Sequence, residues 1–471
     1  VVWADAQALF TLKDGTITVE AASDVVVEKA GASLPEAYRH AMRKWFPASG
    51  KMPDPLFFSA PQINTWIELT YHQNEADILK YAQAMLDNGV PAGVLMIDDT
   101  WQAGYGDWRF EPTRFRDPKG MMDRLHAMGY KVMLWMCPYV GMDIPAFRRI
   151  AWGTNPDDVK GYPVKGGFLA EKGKRPAANG RVAAKPCHWW NGISAFLDFS
   201  HPNANAWFTE TLDGLVRDYG VDGFKLDGAD LTAYNLDTCE ALDPKATNGS
   251  LNNGYAAYAL KYPFCEIRNL WRLQQMPVVV RLHDKPHTWE ALRRITADMI
   301  AAGLIGQPFI CPDMVGGGEW TTFIPGSPFE PDLFVRSAQI HALCPMMQFS
   351  ASPWRILDAE RQKIVRDTVA LRQKFAPLFV ELARKAAVDG EPILRSLEYN
   401  YPNQGYAAVI DAFMMGTDLL VAPQMDKGAA TRTVVVPPGT WTADDGTTVV
   451  GPTTVTVATP LSRLPHFVRA K

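Results

Sequence analysis

The stretch Asn74–Asp98, NEADILKYAQAMLDNGVPAGVLMID, contains one complete helix-and-strand repeat, and this repeat indicates the fold. Asn74 can cap a helix and Gly89 can end it. Val94–Ile97 is then a continuous apolar run closed by Asp98, as in a strand buried on both faces of a parallel sheet. The apolar residues before Gly89 fall on one helical face: Ile78, Tyr81, Ala82, Met85 and Leu86. The stretch therefore predicts a helix that packs on a parallel sheet.

The same alternation of apolar runs and amphipathic stretches continues on both sides, including a helix that Ser200 can cap, with Pro202 in its first turn. A Gly-rich phosphate-binding fingerprint, typical of open doubly wound sheets, is absent from the sequence. The pattern therefore favours an α/β fold, a closed (β/α)8 TIM barrel. Eight candidate strands are Trp66–Tyr71, Val94–Asp98, Lys131–Cys137, Gly223–Asp227, Val278–Leu282, Pro308–Asp313, Pro345–Phe349 and Pro392–Leu397.

Changes in residue pattern and composition along the chain predict three domains. Residues 1–58 begin with strand-like runs, which extend to Val25–Val27, and form an N-terminal β lobe that could be truncated. Residues 59–403 form the catalytic barrel, with an insert at about 141–194 that is too long for an ordinary loop and overhangs the barrel mouth. Residues 404–471 contain short strand-like runs separated by Pro and Gly, which predict an all-β sandwich lobe.

The composition excludes several classes of partner. The chain has 471 residues, is 47% apolar and has a net charge of −4 without a block of like charges, so neither nucleic acid nor an anionic membrane is an expected partner. No run of 18 apolar residues occurs, which predicts no membrane span. Because the chain begins with Val1, we expect that its natural start has been removed.

Six widely spaced cysteines form no CxxC pair, so free thiols are the expected state. A disulfide between Cys239 and Cys265 stays open for an exported protein, because both lie in a polar, loop-like stretch. His283 and His287 are the candidates for a metal site, but Pro286 between them breaks the helical spacing that such a site uses. We therefore expect no metal and no other cofactor.

Four carboxylates follow predicted strands, at the edge where a parallel barrel builds its active site: Asp98, Asp227, Asp284 and Asp313. A single aspartate there can simply cap the next helix. A retaining glycosidase needs one ionised carboxylate and one protonated carboxyl, and this group can supply both. Alternation along the strand points Lys225 to the same side as Asp227, where its charge favours the ionised carboxylate.

The segment around Asp227 resembles the nucleophile strand of glycoside hydrolase family 31. The resemblance covers the chain from about Trp66 to the C-terminus, and its motifs occur in that family's order. They are Ile97-Asp-Asp-Thr-Trp101, Leu134-Trp-Met-Cys-Pro138, Leu197-Asp-Phe-Ser-His-Pro202, Gly223-Phe-Lys-Leu-Asp-Gly-Ala-Asp230 and Gly416-Thr-Asp-Leu-Leu-Val-Ala-Pro423.

The resemblance implies that Asp227 is the nucleophile and that Asp284, five residues before Trp289, is the acid/base. It also implies that other side chains contact the sugar or orient the carboxylates; these are Trp66, Asp98, Trp101, Trp135, Lys225, Arg281 and Asp313. Asp313 is the main rival for the acid role, and the tryptophans have core packing as their alternative.

Two departures from common family members bear on specificity. The α-glucosidases usually carry an Arg-Asn-His segment after the seventh strand, whereas this chain has Met347-Gln-Phe-Ser-Ala-Ser352. Asp98-Asp99 resembles the branch that holds bacterial α-galactosidases and the myogenesis-regulating glycosidase, and Asp99 could accept a hydrogen bond from an axial hydroxyl. The alternative for Asp99 is a solvated loop acid.

The resulting hypothesis is a retaining α-galactosidase that cleaves terminal galactose from oligosaccharides or glycoconjugates. The alternatives are an α-N-acetylgalactosaminidase, an α-glucosidase, a carbohydrate-binding barrel without catalysis, and a metal-dependent enzyme on the same fold. The substrate class favours a periplasmic or secreted location, and the sequence leaves a homo-oligomer open.

Overall fold

A computed structural model describes residues 8–21, 24–152, 166–174 and 183–470. Its centre is a parallel sheet of eight strands, which confirms the predicted TIM barrel. The ring is completed between its last two strands by a parallel bridge from Met314 to Gln348. The barrel strands are β1 (Gln62–Asn64), β2 (Val94–Ile97), β3 (Lys131–Met136), β4 (Gly223–Leu226), β5 (Phe264–Ile267), β6 (Val279–Arg281), β7 (Ile310–Cys311) and β8 (Gln348–Phe349).

Two of the eight predicted strands are wrong. Residues Trp66–Leu69 form a helical turn, and β1 lies just before them. The chain turns there because the Asn64 side chain accepts a hydrogen bond from the backbone N–H of Trp66 at 2.7 Å. Leu394–Arg395, from the predicted strand Pro392–Leu397, pairs with Phe413–Met415 in the C-terminal sheet instead.

Strand β5 belongs to the barrel in place of Pro392–Leu397, and it was not predicted from the sequence. It pairs in parallel with β4 and β6. Cys265 therefore lies in a buried barrel strand and not in a polar loop, which removes the basis for a disulfide with Cys239. All six cysteines are free thiols in the structure.

The helix predicted from Asn74 is confirmed as Glu75–Asp87, and the Asn74 side chain accepts a hydrogen bond from the Asp77 N–H. The helix Pro202–Tyr219 is capped by His201 and not by Ser200, because the His201 ring accepts from the Asn203 N–H. No described helix has both the length and the apolarity that crossing a membrane requires. The other helices are Leu34–Trp45, Leu56–Ser59, Pro118–Ala127, Pro145–Trp152, Leu231–Tyr234, Asn248–Ala256, Trp289–Leu304, Pro331–Ala342, Pro353–Ile356, Ala359–Asp389 and Leu397–Asn400, with 3-10 turns at Ala257–Leu260 and Trp320–Phe323.

The predicted insert begins as a small sheet beyond β3. Tyr139–Gly141 pairs with Gly192–Phe196, which forms a hairpin with Pro186–Trp189. Residues 153–165 and 175–182 of the predicted insert lie outside the described residues. Two further short pairs are Gln102–Gly104 with Asp107–Phe110 and Ala170–Glu171 with Cys239–Glu240.

The two ends of the chain form separate β structures. Near the N-terminus, Ala8–Lys13 pairs with Thr16–Ala21, whereas residues 25–27 form no strand. The C-terminal lobe is all-β, as predicted, and its six strands join in one antiparallel sheet. These strands are Leu394–Arg395, Phe413–Met415, Leu419–Val421, Thr431–Ala443, Thr448–Ala458 and His466–Arg469. The domain limits after residues 58 and 403 stay predictions.

Candidate active site

The predicted carboxylates gather at the carboxyl ends of the barrel strands. On β4, Lys225 donates to Asp98 Oδ2 at 2.7 Å. On β6, Arg281 donates to Asp284 Oδ1 at 2.6 Å and to Asp313 Oδ1 at 3.1 Å. Because β5 is an additional strand, Asp284 follows the sixth strand and Asp313 the seventh, one later than the sequence count gave.

Asp227 is held at both carboxylate oxygens. Its Oδ2 accepts the indole N–H of Trp135 at 2.9 Å, and its Oδ1 accepts the backbone N–H of Gly228 at 2.8 Å. Arg268 Nη1 lies 3.3 Å from the same Oδ1. The hydroxyl of Tyr255 also donates to the Asp227 carbonyl at 3.0 Å. The side chain therefore has one fixed orientation at the end of β4.

The environment of Asp227 favours its ionised form. Burial by itself acts the other way, because it penalises the charge. The charges of Arg268 and Lys225 outweigh that penalty and hold the pKa of Asp227 well below its ordinary value. An ionised and immobile carboxylate is what a nucleophile at an anomeric carbon requires.

Asp284 has a different environment, because 45% of its side chain is exposed. Gly318 lies directly against it, so that a Cβ at position 318 would be 2.7 Å from Asp284 Cγ. Desolvation on that side opposes ionisation, but the Arg281 guanidinium holds the pKa of Asp284 below its usual value. Asp284 can reach a ligand from a partly open position.

Asp313, the rival for the acid role, is completely buried. Its Oδ1 accepts from Arg281, and its Oδ2 accepts the backbone N–H of Lys285 at 2.8 Å. Burial raises the pKa of Asp313 above its ordinary value. A raised pKa suits a general acid, but both oxygens are engaged and none of the side chain faces solvent. Accessibility therefore favours Asp284 for proton transfer.

Asp99 is a buried carboxylate and not a solvated loop acid, since only 3% of it is exposed. It accepts hydrogen bonds from Asn191 at 2.7 Å, from Gln102 at 3.0 Å and from the hydroxyl of Tyr105 at 3.1 Å. These donors are neutral, and burial raises the pKa of Asp99 to about 6.

The three tryptophans that were predicted to contact the sugar differ in how deeply they are buried. Trp135 is almost fully buried and holds Asp227. Trp101 is fully buried and donates its indole N–H to the Trp135 carbonyl at 2.8 Å, so it packs beneath the site and is not at its surface. Trp66 is half-buried at the rim of the barrel.

The sequence interpretation missed two groups of residues at this site. Glu266 lies in the missed β5 and pairs with Arg281 at 3.4 Å. Arg268 follows that strand directly and pairs with Asp227. The signal was present, because the interval from Asp227 to Val278 is long for a single βα unit.

The second missed group is the turn of the insert hairpin. Asn191 binds Asp99, and the ring of Trp190 lies 5.4 Å from the guanidinium of Arg268. About half of Trp190 is exposed. This turn therefore reaches the site, but no local sequence pattern singles out these two residues, and the overhang of the whole insert stays a prediction.

The histidine pair does not form a metal site in the described residues. His287 contacts the backbone carbonyls of Gly316 at 2.7 Å and Glu330 at 3.2 Å. Across the described part of the chain, no three His, Cys, Asp or Glu side chains are grouped as metal ligands would be.

A cavity of about 490 Å³ opens beside Asp284. Besides Asp284, its polar lining comes from Asp230, Arg268, Asn269, His283 and Gln307. A larger groove of about 950 Å³ lies elsewhere, between Pro145–Trp152 and Pro202–Tyr219, and contains none of the predicted site residues. The smaller cavity therefore adjoins the candidate active site at Asp284.

Known proteins resemble this chain over most of its length. The chain is 30% identical to the myogenesis-regulating glycosidase of Mus musculus over 426 residues, which cover 88% of this chain and 57% of that protein. It is 25% identical to an α-xylosidase of Emericella nidulans over 420 residues, 83% of this chain and 49% of that protein. The chain thus spans about half the length of these relatives.

Solved structures support the fold. A soil-metagenome family 31 α-xylosidase complexed with xylose superposes with a TM-score of 0.78 at 21% identity, covering 93% of this chain and 66% of that one. A Flavobacterium johnsoniae family 31 dextranase complexed with glucose gives a TM-score of 0.76 at 21% identity, with 93% and 54% covered.

Two family models match adjoining parts of the chain. The glycosyl hydrolases family 31 TIM-barrel domain matches residues 55–382, and the family 31 C-terminal domain matches residues 390–471. The barrel, the carboxylates at its strand ends and these matches agree. The chain belongs to glycoside hydrolase family 31.

Proposed function

We propose that the protein is a retaining α-glycosidase that cleaves terminal α-linked galactose, with Asp227 as nucleophile and Asp284 as acid/base. The observation that carries this proposal is the contrast between the two carboxylates. Asp227 is fixed, buried and ionised, whereas Asp284 is partly exposed at the edge of a cavity. Retaining hydrolysis needs carboxyl groups with two such different roles.

The reaction proceeds in two displacements. Asp227 attacks the anomeric carbon and forms a glycosyl ester while the bond from that carbon to the leaving oxygen breaks, and Asp284 gives its proton to that oxygen. Asp284, now ionised, then takes a proton from water as the water oxygen attacks the anomeric carbon and releases Asp227. The negative charge of Asp227 favours the protonated form of Asp284 that the first step uses. Once Asp227 is esterified that charge is gone, and the Arg281 pair favours the ionised form that the second step uses.

The remaining predicted residues have supporting roles in this proposal. Asp98 holds sugar hydroxyls, Lys225 and Arg281 orient the carboxylates, and Asp313 anchors Arg281. Trp66 and Trp135 shape the pocket, whereas Trp101 packs beneath it. The ion pairs Lys225–Asp98 and Arg281–Asp313 support that assignment, because they fix two carboxylates with one cation each. The substrate partner is an oligosaccharide or glycoconjugate.

Galactose selectivity rests on Asp99 and on the segment Met347–Ser352, which contains β8. Asp99 is buried and follows Asp98 in the chain, and its oxygens accept from Asn191, Gln102 and Tyr105. An axial hydroxyl that displaces one of these neutral donors replaces its hydrogen bond, whereas a wrong epimer that displaces the donor without replacing it costs on the order of 1 to 3 kcal/mol. The Met347–Ser352 segment has no histidine to contact the sugar, and its Gln348 and Ser350 side chains make internal hydrogen bonds instead.

A second candidate is α-xyloside or α-glucoside hydrolysis. It is favoured by relatives named α-xylosidase, in Emericella nidulans and Lactiplantibacillus pentosus, and neutral α-glucosidase AB, in Homo sapiens. The two candidates differ only in the sugar, so they share the same proposed nucleophile.

The test is hydrolysis of the 4-nitrophenyl α-glycosides of galactose, N-acetylgalactosamine, glucose and xylose by the wild type and by Asp99→Asn. NMR follows the anomer that is released. We expect α-galactose to be released fastest, and we expect Asp99→Asn to reduce the preference over glucose by about tenfold to a hundredfold. Fastest turnover of another sugar would reject galactose; turnover of none would favour a binding role.

A further inference from the structure

Three aromatic rings meet at the barrel rim. The ring centroids of Trp66 and Tyr71 are 5.4 Å apart, and those of Trp66 and Trp320 are 6.4 Å apart. Tyr71 and Trp320 are separated by 5.9 Å, and each ring pair is close to perpendicular. Tyr71 is 43% exposed and the two tryptophans are half-buried. The three side chains, which we call the aromatic rim, therefore present ring edges and faces to solvent.

The aromatic rim is linked to the proposed acid/base by the chain itself. Gly318 lies against the Asp284 carboxyl, and Trp320 follows two residues later. An acid/base gives its proton to the oxygen that joins the cleaved sugar to the leaving group. The leaving group must therefore start beside Asp284, on the side where that side chain is exposed.

From this arrangement we propose that Trp66, Tyr71 and Trp320 form the leaving-group subsite and that its occupant is a second pyranose ring. The inference rests on the proposed glycosidase function and deepens it. A pyranose presents an apolar C–H face, which packs on aromatic rings, and hydroxyl groups that the Tyr71 hydroxyl can bind.

Side-chain hydrogen bonds hold the loop that carries Trp66 and Tyr71 in one conformation. The Thr65 hydroxyl donates to the Gln73 side chain at 2.6 Å, and the Gln73 amide donates back to the Thr70 carbonyl at 3.0 Å. Thr70 has a φ of 49°, in the left-handed region, where the chain reverses between Trp66 and Tyr71. These contacts fix the two rings before any ligand arrives.

A single arginine joins the two segments of the aromatic rim. Arg355 Nε donates to Glu68 at 3.0 Å, next to Trp66, and its Nη1 donates to the Phe323 carbonyl at 3.3 Å, in the turn that begins at Trp320. Glu68 also accepts the Ser352 N–H at 2.8 Å. A preformed platform loses little conformational entropy on binding.

The other flank of Asp284 is the rival position for the leaving group. It is the polar cavity with Asp230, Arg268 and His283. That flank offers charges and amides but no aromatic face among the residues that line it. A sugar ring that stacks is better accommodated by the aromatic rim.

The test compares two substrates that share the same glycosyl group. α-Galactosyl fluoride has a leaving group too small to fill a sugar subsite, whereas melibiose places glucose there. For Tyr71→Ala and Trp320→Ala, we expect the ratio of kcat/KM for melibiose to kcat/KM for the fluoride to fall about tenfold or more, the effect of about 1.4 kcal/mol of lost stacking. Trp320→Phe should recover most of the ratio. Trp45→Ala, an exposed tryptophan on the helix Leu34–Trp45, is the matched control and should keep it.

A second readout uses the fluoride as donor and glucose as acceptor. The wild type should form disaccharide, and the two alanine variants should divert the glycosyl-enzyme to water. An unchanged substrate ratio in both variants, or a loss in His283→Ala alone, would overturn the aromatic assignment. Failure of the wild type to turn over any fluoride or glycoside would reject the proposed function instead, so the two failures are distinct.

Discussion

The regions around Asp227 and Asp284 lie at the same barrel mouth but differ in how they hold their carboxylates: Asp227 is fixed by several contacts, whereas Asp284 is partly exposed. Asp227 ends a buried strand and is held by Trp135, Gly228 and Arg268. Asp284 lies in the loop after β6, has Arg281 as its cationic partner and is 45% exposed. A nucleophile gains from being fixed, whereas an acid/base must reach the leaving oxygen and later a water.

The comparison teaches that burial does not by itself set the charge of a carboxyl group. Asp227 and Asp99 are both buried, yet cations lower the pKa of Asp227, while burial among neutral donors raises the pKa of Asp99 to about 6. The partner decides which form is stable. The following predictions test this contrast, beginning with the largest effect.

Removal of Asp227 should have the largest effect. Asp227→Ala should lower kcat by about 10⁴-fold or more for every substrate, because no other group can form the covalent intermediate. Azide should restore product formation as the β-azide, since an external nucleophile then attacks once, with inversion. An α-azide from this variant would contradict the assignment. Circular dichroism checks that the variant is folded.

Removal of Asp284 should depend on the leaving group. Asp284→Ala should lower kcat by about 10²- to 10⁴-fold for a disaccharide and far less for a glycosyl fluoride, which leaves without a proton. Asp313→Asn is the comparison, because Asp313 is buried and should affect both substrates alike. A dependence on leaving group in Asp313→Asn, and none in Asp284→Ala, would exchange the two roles.

Asp99 is a buried carboxylate whose hydrogen-bond donors are neutral, so it tests the effect of burial on the pKa and on stability. Because its pKa is raised to about 6, its ionisation weakens the folded state, and this contribution to stability falls as pH rises from about 4 to about 6. The total change is about 3 kcal/mol. Asp99→Asn lacks this ionisable group. When the pH is lowered from 7.5 to 4.5, the melting temperature of the wild type should therefore rise relative to that of the variant.

The matched control for that measurement is Asp237→Asn, because Asp237 is an exposed aspartate. Its pH dependence should follow the wild type. Parallel melting curves for wild type and Asp99→Asn would show that Asp99 does not titrate in this range.

Arg268 should give the smallest effect. Arg268→Met removes a positive charge that lies beside Asp227, so the pKa of Asp227 rises and kcat/KM should begin to fall at a higher pH as the solution is acidified. Arg268→Lys keeps a charge and should shift the profile less. The measurement is the pH profile of kcat/KM, and identical acid limbs in all three proteins would remove Arg268 from this role.

Much of the fold follows from the sequence. Apolar runs, three of them ended by aspartates, predicted six of the eight barrel strands, because a strand buried on both faces leaves a strong local pattern. The helix Glu75–Asp87 was equally readable from Asn74 and its apolar face. The family motifs also named Asp227 and Asp284, whose proximity to Lys225 and Arg281 follows from strand ends that share one edge of a sheet.

Tertiary structure decided what local pattern does not encode. Strand β5 contains the buried Glu266, which is stable there only because Arg281 and Gln348 reach it from other strands. Asn191 reaches Asp99 from 92 residues away through the insert hairpin. The aromatic rim joins Trp66, which follows β1, to Trp320, which follows β7. Local sequence encodes the alternation of strands and helices and the carboxylates at the strand ends. Which distant cation, amide or ring meets each carboxylate depends on barrel closure, which no local window of sequence contains.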